Sequence, residues 1–125
     1  MEKGKLIIYW ITTSLVSVGM LGSGLAQLFH TKDMVVLVTH VGYPVYFMYI
    51  LGVWKILAVI AILIPGFKLL KEWAYAGLFF AMTGAVVSHL AIGDGMGEIM
   101  GGLMQTIFIT LSWYFRPASR KIVLN

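Results

Sequence analysis

Long apolar runs dominate this chain. Leu6 to Phe29 holds no charged residue, and a second run from about Val45 to Ile64 is interrupted by Lys55 and closed by Pro65-Gly66. A third, Trp73 to Ile92, ends at Gly93-Asp94-Gly95, and a fourth, about Gly97 to Phe115, ends at Arg116-Pro117. A helix needs about 20 mostly apolar residues to cross ~30 Å of hydrocarbon, and each run is near that length. The runs are continuous and lack the alternation of a membrane strand, so they predict helices. Proline and glycine after the last three runs are ordinary stops. His30 to Pro44 is too short and too polar to span. Thr31 or Asp33 can cap a short helix there, lying in the interface or folded over the mouth of a bundle. The pattern predicts an all-α integral membrane four-helix bundle, one domain over residues 1–125, with spans near 6–29, 45–64, 73–92 and 97–115 and an interfacial segment at 30–44.

Composition agrees with the bilayer as solvent. The chain is 60% hydrophobic and only 11% charged, whereas ordinary soluble domains are about 45–50% apolar. It has no cysteine, which excludes disulfide exchange, thiolate metal sites and cysteine nucleophiles. The net charge of +4 could suggest nucleic acid, but its distribution is that of a topology signal. With four spans, Lys3, Lys5, Lys68, Lys71, Arg116, Arg120 and Lys121 fall on one side and Lys32 alone on the other. That asymmetry predicts both termini in the cytoplasm. Tyr9, Trp10, Trp73, Tyr75, Trp113 and Tyr114 then mark the inner interface, and Tyr43, Tyr46 and Tyr49 the outer one. The basic start and apolar run resemble a signal peptide, yet the run is long and no small-x-small cleavage pattern follows, so it reads as the first span.

Helix contacts in lipid favour small residues. Gly77, Ala81 and Ala85 share one face of the third span and are expected to meet other helices. Gly19, Gly22, Ser23 and Ala26 offer similar spacings in the first, and Gly101 and Gly102 in the fourth.

Polar residues inside the spans carry the candidate chemistry. Lys55 lies about ten residues into the second span, near the midplane at ~1.5 Å per residue. A central lysine costs about 2.5–3.5 kcal/mol and usually faces an interior or a cavity; the other reading is a stem that snorkels to an interface. Glu98, Gln105 and Ser112 repeat every seven residues and share a stripe of the fourth helix. His89 lies near the outer end of the third, and His30 and His40 flank the outer connection. These positions predict a polar cavity opening outward, with Lys55 as floor, Gln105 on the wall, and His89, Glu98 and His40 at the mouth. No histidine pair has a metal-ligand spacing, so no metal is expected. No phosphate loop, triad or nucleotide fingerprint is present.

The runs Val41-Gly42-Tyr43-Pro44, Leu51-Gly52-Val53-Trp54-Lys55 and Leu70-Lys71-Glu72-Trp73-Ala74-Tyr75-Ala76-Gly77, followed by Thr83-Gly84-Ala85, Ser88-His89-Leu90 and Gly93-Asp94, resemble the DoxX-like family of small bacterial membrane proteins over roughly residues 6–115. The resemblance implies a four-helix membrane bundle in the bacterial cytoplasmic membrane. It also marks Lys55 and His89 as motif positions, with Trp54 beside Lys55. The wider group is named for a subunit of a thiosulfate:quinone oxidoreductase, and other relatives resemble partners of membrane redox complexes or assembly chaperones.

Three functions follow. The first is a subunit that binds a small amphipathic ligand, a quinone for example, through Lys55, His89, Gln105, Glu98, His40 and Trp54, leaving redox chemistry to the ligand or to a membrane oxidoreductase partner. The second is a structural or chaperone-like scaffold that docks partner helices. The third is a transporter, which at four spans would need a dimer of inverted copies; the charge bias opposes it. The lipid bilayer is the expected surrounding, with a homo-oligomer as a further option and nucleic acid excluded.

The topology has a direct check. Reporters fused after the last residue and inserted near residue 94 should score on opposite sides of the membrane. Same-side scores would end the four-span reading.

Overall fold

The structure is a computed structural model that describes residues 2–122; the expected unit over 1–125 also takes in Met1 and residues 123–125, which lie outside the described residues. The fold is all-α. Five helices follow in order: α1 (Lys3–Leu28), α2 (Lys32–His40), α3 (Phe47–Leu63), α4 (Lys68–Ala91) and α5 (Met96–Tyr114), with a short 3-10 turn at Ala118–Arg120. Each apolar run becomes one long helix, and the short segment after the first becomes α2. Thr31 is the N-cap of α2, but its side chain makes no capping bond. By length and composition, α1 and α4 can cross a membrane, while α3 is apolar but shorter. α5 is long enough but less apolar, because Glu98 and Gln105 lie within it.

The surface and interior are partly exchanged relative to a water-soluble protein. Ile11, Val18, Trp54, Phe80, Val87 and Leu90 are among many exposed large apolar residues, whereas Thr13, Gln27, Lys55, Lys71, His89 and Ser112 are buried. An apolar exterior this extensive needs an apolar surrounding. Buried polar groups in turn must find partners inside the protein.

α1 packs against α3 and α5, and α4 packs against the same two, with the α3–α4 seam the loosest of the four. The core between them is built from Val16, Met20, Val59, Ile62, Tyr75, Leu78, Met82 and Ile109. α1 and α3 cross closely at Gly24 and Gly52. A Cβ on Gly52 would lie 2.8 Å from the Gly24 carbonyl oxygen and 2.9 Å from Leu28 Cγ. Neither glycine was among the small residues expected at helix contacts.

One expectation is overturned here. Gly77 does not meet another helix: it is exposed, and a Cβ there would touch nothing within 4 Å. Ala81, partly buried, does pack against the core, and Ala85 lies beside Gly102 of α5, so the expectation fails at Gly77. The buried residues of α4 are Lys71, Ala74, Tyr75, Leu78, Met82 and His89. Bulk wins over smallness because Tyr75 and Leu78 fill the core.

The two ends differ. At one end, the last turn of α3 is closed by cations from elsewhere. Lys71, fully buried, donates to Ala61 O at 2.7 Å and also to Ile64 O. Arg120 donates to Ile62 O at 2.9 Å and Leu63 O at 3.1 Å and lies over the Trp10 ring. Glu72 accepts from Arg116 at 2.8 Å and Trp113 Nε1 at 3.0 Å. At the other end, α2 and the α4–α5 turn are joined by the polar contacts of the site.

Gly52→Ala should lower stability by about 1–3 kcal/mol, the usual cost of overpacking. Gly77→Ala should be neutral or stabilising by up to ~1 kcal/mol, since alanine favours helix. Thermal unfolding in detergent reads both, and the reverse order would refute this packing.

Candidate functional site

A cavity of about 320 Å³ lies between the long helices, under α2. Small-molecule pockets begin near that size, ~300 Å³. α1 contributes Ser23 and Gln27, α3 contributes Lys55, α4 contributes His89, and α5 contributes Glu98 and Gln105. Met34, Leu37 and Val38 of α2 and Val41 just after it cover the cavity with apolar side chains.

Lys55 is 7% exposed. Its ammonium donates to Ser23 Oγ at 3.2 Å. One acceptor serves a group with three donors. Gln27 is 4% exposed, and the side-chain oxygens of Gln27 and Gln105 are both buried without a hydrogen-bond partner. Each such orphan costs roughly 1–3 kcal/mol. The residues that line the cavity thus include an under-used donor and two amides whose oxygens lack a partner.

Local chain geometry builds the mouth. Gly93 has φ +79°, the left-handed conformation that ends a helix. The turn places Asp94 N–H on the His89 carbonyl at 2.9 Å, which brings the Asp94 side chain beside the His89 ring. His89 Nδ1 donates to Asp94 Oδ2 at 2.6 Å, and His40 Nε2 donates to Oδ1 at 2.8 Å. One carboxylate therefore joins α2 to α4. With Nδ1 donating, Nε2 of the neutral His89 ring is an acceptor. Tyr43 and Ser88 add a second tie, hydroxyl to hydroxyl at 2.7 Å.

Of the residues singled out in the sequence, Lys55, His89, Gln105 and Glu98 line this one cavity. His40 is exposed and reaches the site only through Asp94. Trp54 is 62% exposed and lines a separate groove between α3 and α4. His30 meets the Tyr49 ring edge-on, ring centroids 4.2 Å apart, away from the cavity. Sequence reasoning missed Ser23 and Gln27 as site residues. Their signal was present: two polar side chains four apart in a charge-free apolar run share one face of its helix.

Ser112, the third member of the α5 stripe, belongs to a deeper network. It pairs with Thr13 at 2.6 Å and with Tyr75 at 2.8 Å, all three buried. These three side chains satisfy one another, whereas the buried hydroxyls of Tyr9 and Ser17, also on α1, have no partner.

Hydrogen bonds from His89 and then His40 hold the Asp94 carboxyl below the usual carboxylate range. Comparison with known families finds that the DoxX-like family model matches residues 11–115. No curated protein and no solved structure matches.

A carboxyl lowered in the folded state stabilises fully above its ordinary value, ~3.9, and loses that contribution as pH falls through the lowered value. Asp94→Asn should therefore flatten the acid limb of melting temperature against pH below about 4. An unchanged acid limb would show that this carboxylate does not hold α2 to α4.

Proposed function

The chain belongs to the DoxX-like family and is a membrane protein, and we propose that it is a ligand-binding subunit of a bacterial cytoplasmic-membrane redox system. In this reading the four long helices form a membrane bundle with both termini in the cytoplasm, and the cavity opens toward the outer face beneath α2. The ligand is a small amphipathic molecule of quinone type. The observation that supports this is the Lys55 ammonium, with Ser23 as its hydrogen-bond partner, on a residue lining a cavity that Gln27 and Gln105, both with buried and unpartnered amide oxygens, also line.

The chemistry is binding and orientation. Lys55 donates to a ligand oxygen, and so do the amide NH₂ groups, once a rotation of either glutamine exchanges its ends. His89 Nε2 accepts from a ligand hydroxyl, with the ring held by Asp94. Apolar α2 residues exclude water and strengthen these contacts. Electron transfer belongs to the ligand and to a partner oxidoreductase. A scaffold that only docks helices has no use for a hollow, polar centre with unsatisfied amides, which cost stability.

Lys55→Met is the test. A tail-less dimethoxy-methyl-benzoquinone should bind the wild type in nanodiscs and lose binding in the variant. Helicity should persist, with an unchanged or raised melting temperature, because a buried charge is removed at similar volume. Equal binding by both proteins, or none by the wild type, would overturn the reading.

A further inference from the structure

A second void lies beside the first. A groove of about 550 Å³ runs along the α3–α4 seam. Its walls are Leu57, Ala58 and Ala61 on α3 and Trp73, Gly77 and Leu78 on α4. Trp54 and Trp73 flank it, both largely exposed, so it opens on the apolar exterior of the fold. Leu51, Lys55 and Ala81 line both the cavity and the groove. The two voids therefore share a wall of three residues at the level of Lys55, in the α3–α4 seam, the loosest of the four.

Their chemistry differs sharply. The cavity carries Ser23, Gln27, His89, Glu98 and Gln105. Below Lys55 the groove is lined by apolar side chains and Gly77 alone. From Leu51 to Ala61 it follows about 15 Å of helix at 1.5 Å per residue, half of a ~30 Å hydrocarbon core. Small residues at Ala58, Ala61, Gly77 and Ala81 leave the depth for a chain to lie between the helices.

We infer that the ligand is a tailed amphiphile, with its polar head in the cavity, its hydrocarbon tail leaving past Ala81 along the α3–α4 groove, and its access sideways from the bilayer. The inference rests on the ligand-binding reading above and adds the ligand's class and route. Lys55 sits at the joint, its ammonium turned to Ser23 on the cavity side and its own stem forming part of the groove wall. The head of such a molecule meets the polar groups of the outer half, and the tail runs toward the Pro65-Gly66 turn. This is how a lipid of the outer leaflet is already oriented, so binding needs no inversion.

Two probes separate this inference from the reading beneath it: the tail-less benzoquinone, and its decyl derivative with a diazirine at the tail end. In nanodiscs, photolysis of the decyl probe should place adducts on residues 57–61 and 73–78, suppressed by excess unlabelled decyl compound. Gly77→Phe fills the groove at a position with free space around Cβ, so the helix tolerates it. That variant should reduce these adducts by more than half and weaken decyl binding, while tail-less binding stays as in the wild type. If the tail-less probe binds but adducts spread evenly over the exposed helix faces, or Gly77→Phe leaves decyl binding unchanged, the tail route is wrong and the cavity reading survives. If neither probe binds the wild type, both fall.

Discussion

The end of α3 is the constraint on which this architecture depends. A helix leaves its last four carbonyls without partners, and in an apolar surrounding water cannot supply them. Here Ile64 N–H takes Ile60 O, Lys71 takes Ala61 O, and Arg120 takes Ile62 O and Leu63 O. Positive charge at a helix C-terminus also meets the negative end of the dipole. Satisfying these four groups draws the start of α4 and the segment after α5 to one point. Arg120 over Trp10 adds the start of α1, and Glu72 with Arg116 ties α4 to the end of α5. All four long helices are fastened at one end.

Above that base, polar groups come in two layers of opposite character. Thr13, Tyr75 and Ser112 complete one another's hydrogen bonds, and a satisfied buried network specifies how its helices meet. The next layer, Ser23, Gln27, Lys55 and Gln105, is left incomplete around a void. Such local departures from consistency are where function is expected.

The helices were legible in the sequence because apolar length is a one-dimensional property. The start of α4 was not. Its apolar run begins at Trp73, yet the helix begins at Lys68, because Lys71 turns inward as a cap and keeps that first turn in the fold. The depth of Lys55, Gln105, Glu98 and His89 followed from counting along each run, and those four share a cavity. What counting could not supply was rotation. Gly77 turned outward because Tyr75 and Leu78 claim the core, and Lys55 found Ser23 because the Gly24–Gly52 crossing brings α1 nearest to α3. Each outcome depends on residues distant along the chain. Lys71 and Arg120 were read as orientation charges, and the structure gives them a second use that only the position of α3's end reveals.

That second use has a consequence for the order in which the protein can be completed. The chain is synthesised from its N-terminus, so α3 exists long before Arg120 does. Lys71 follows α3 closely and can close Ala61 at once. The carbonyls of Ile62 and Leu63 must wait for a residue 58 and 57 positions later. Until then that end of α3 is stable only at the interface, where water can serve it. The last-made stretch of the described chain therefore acts as a latch, and assembly is complete only once it has arrived.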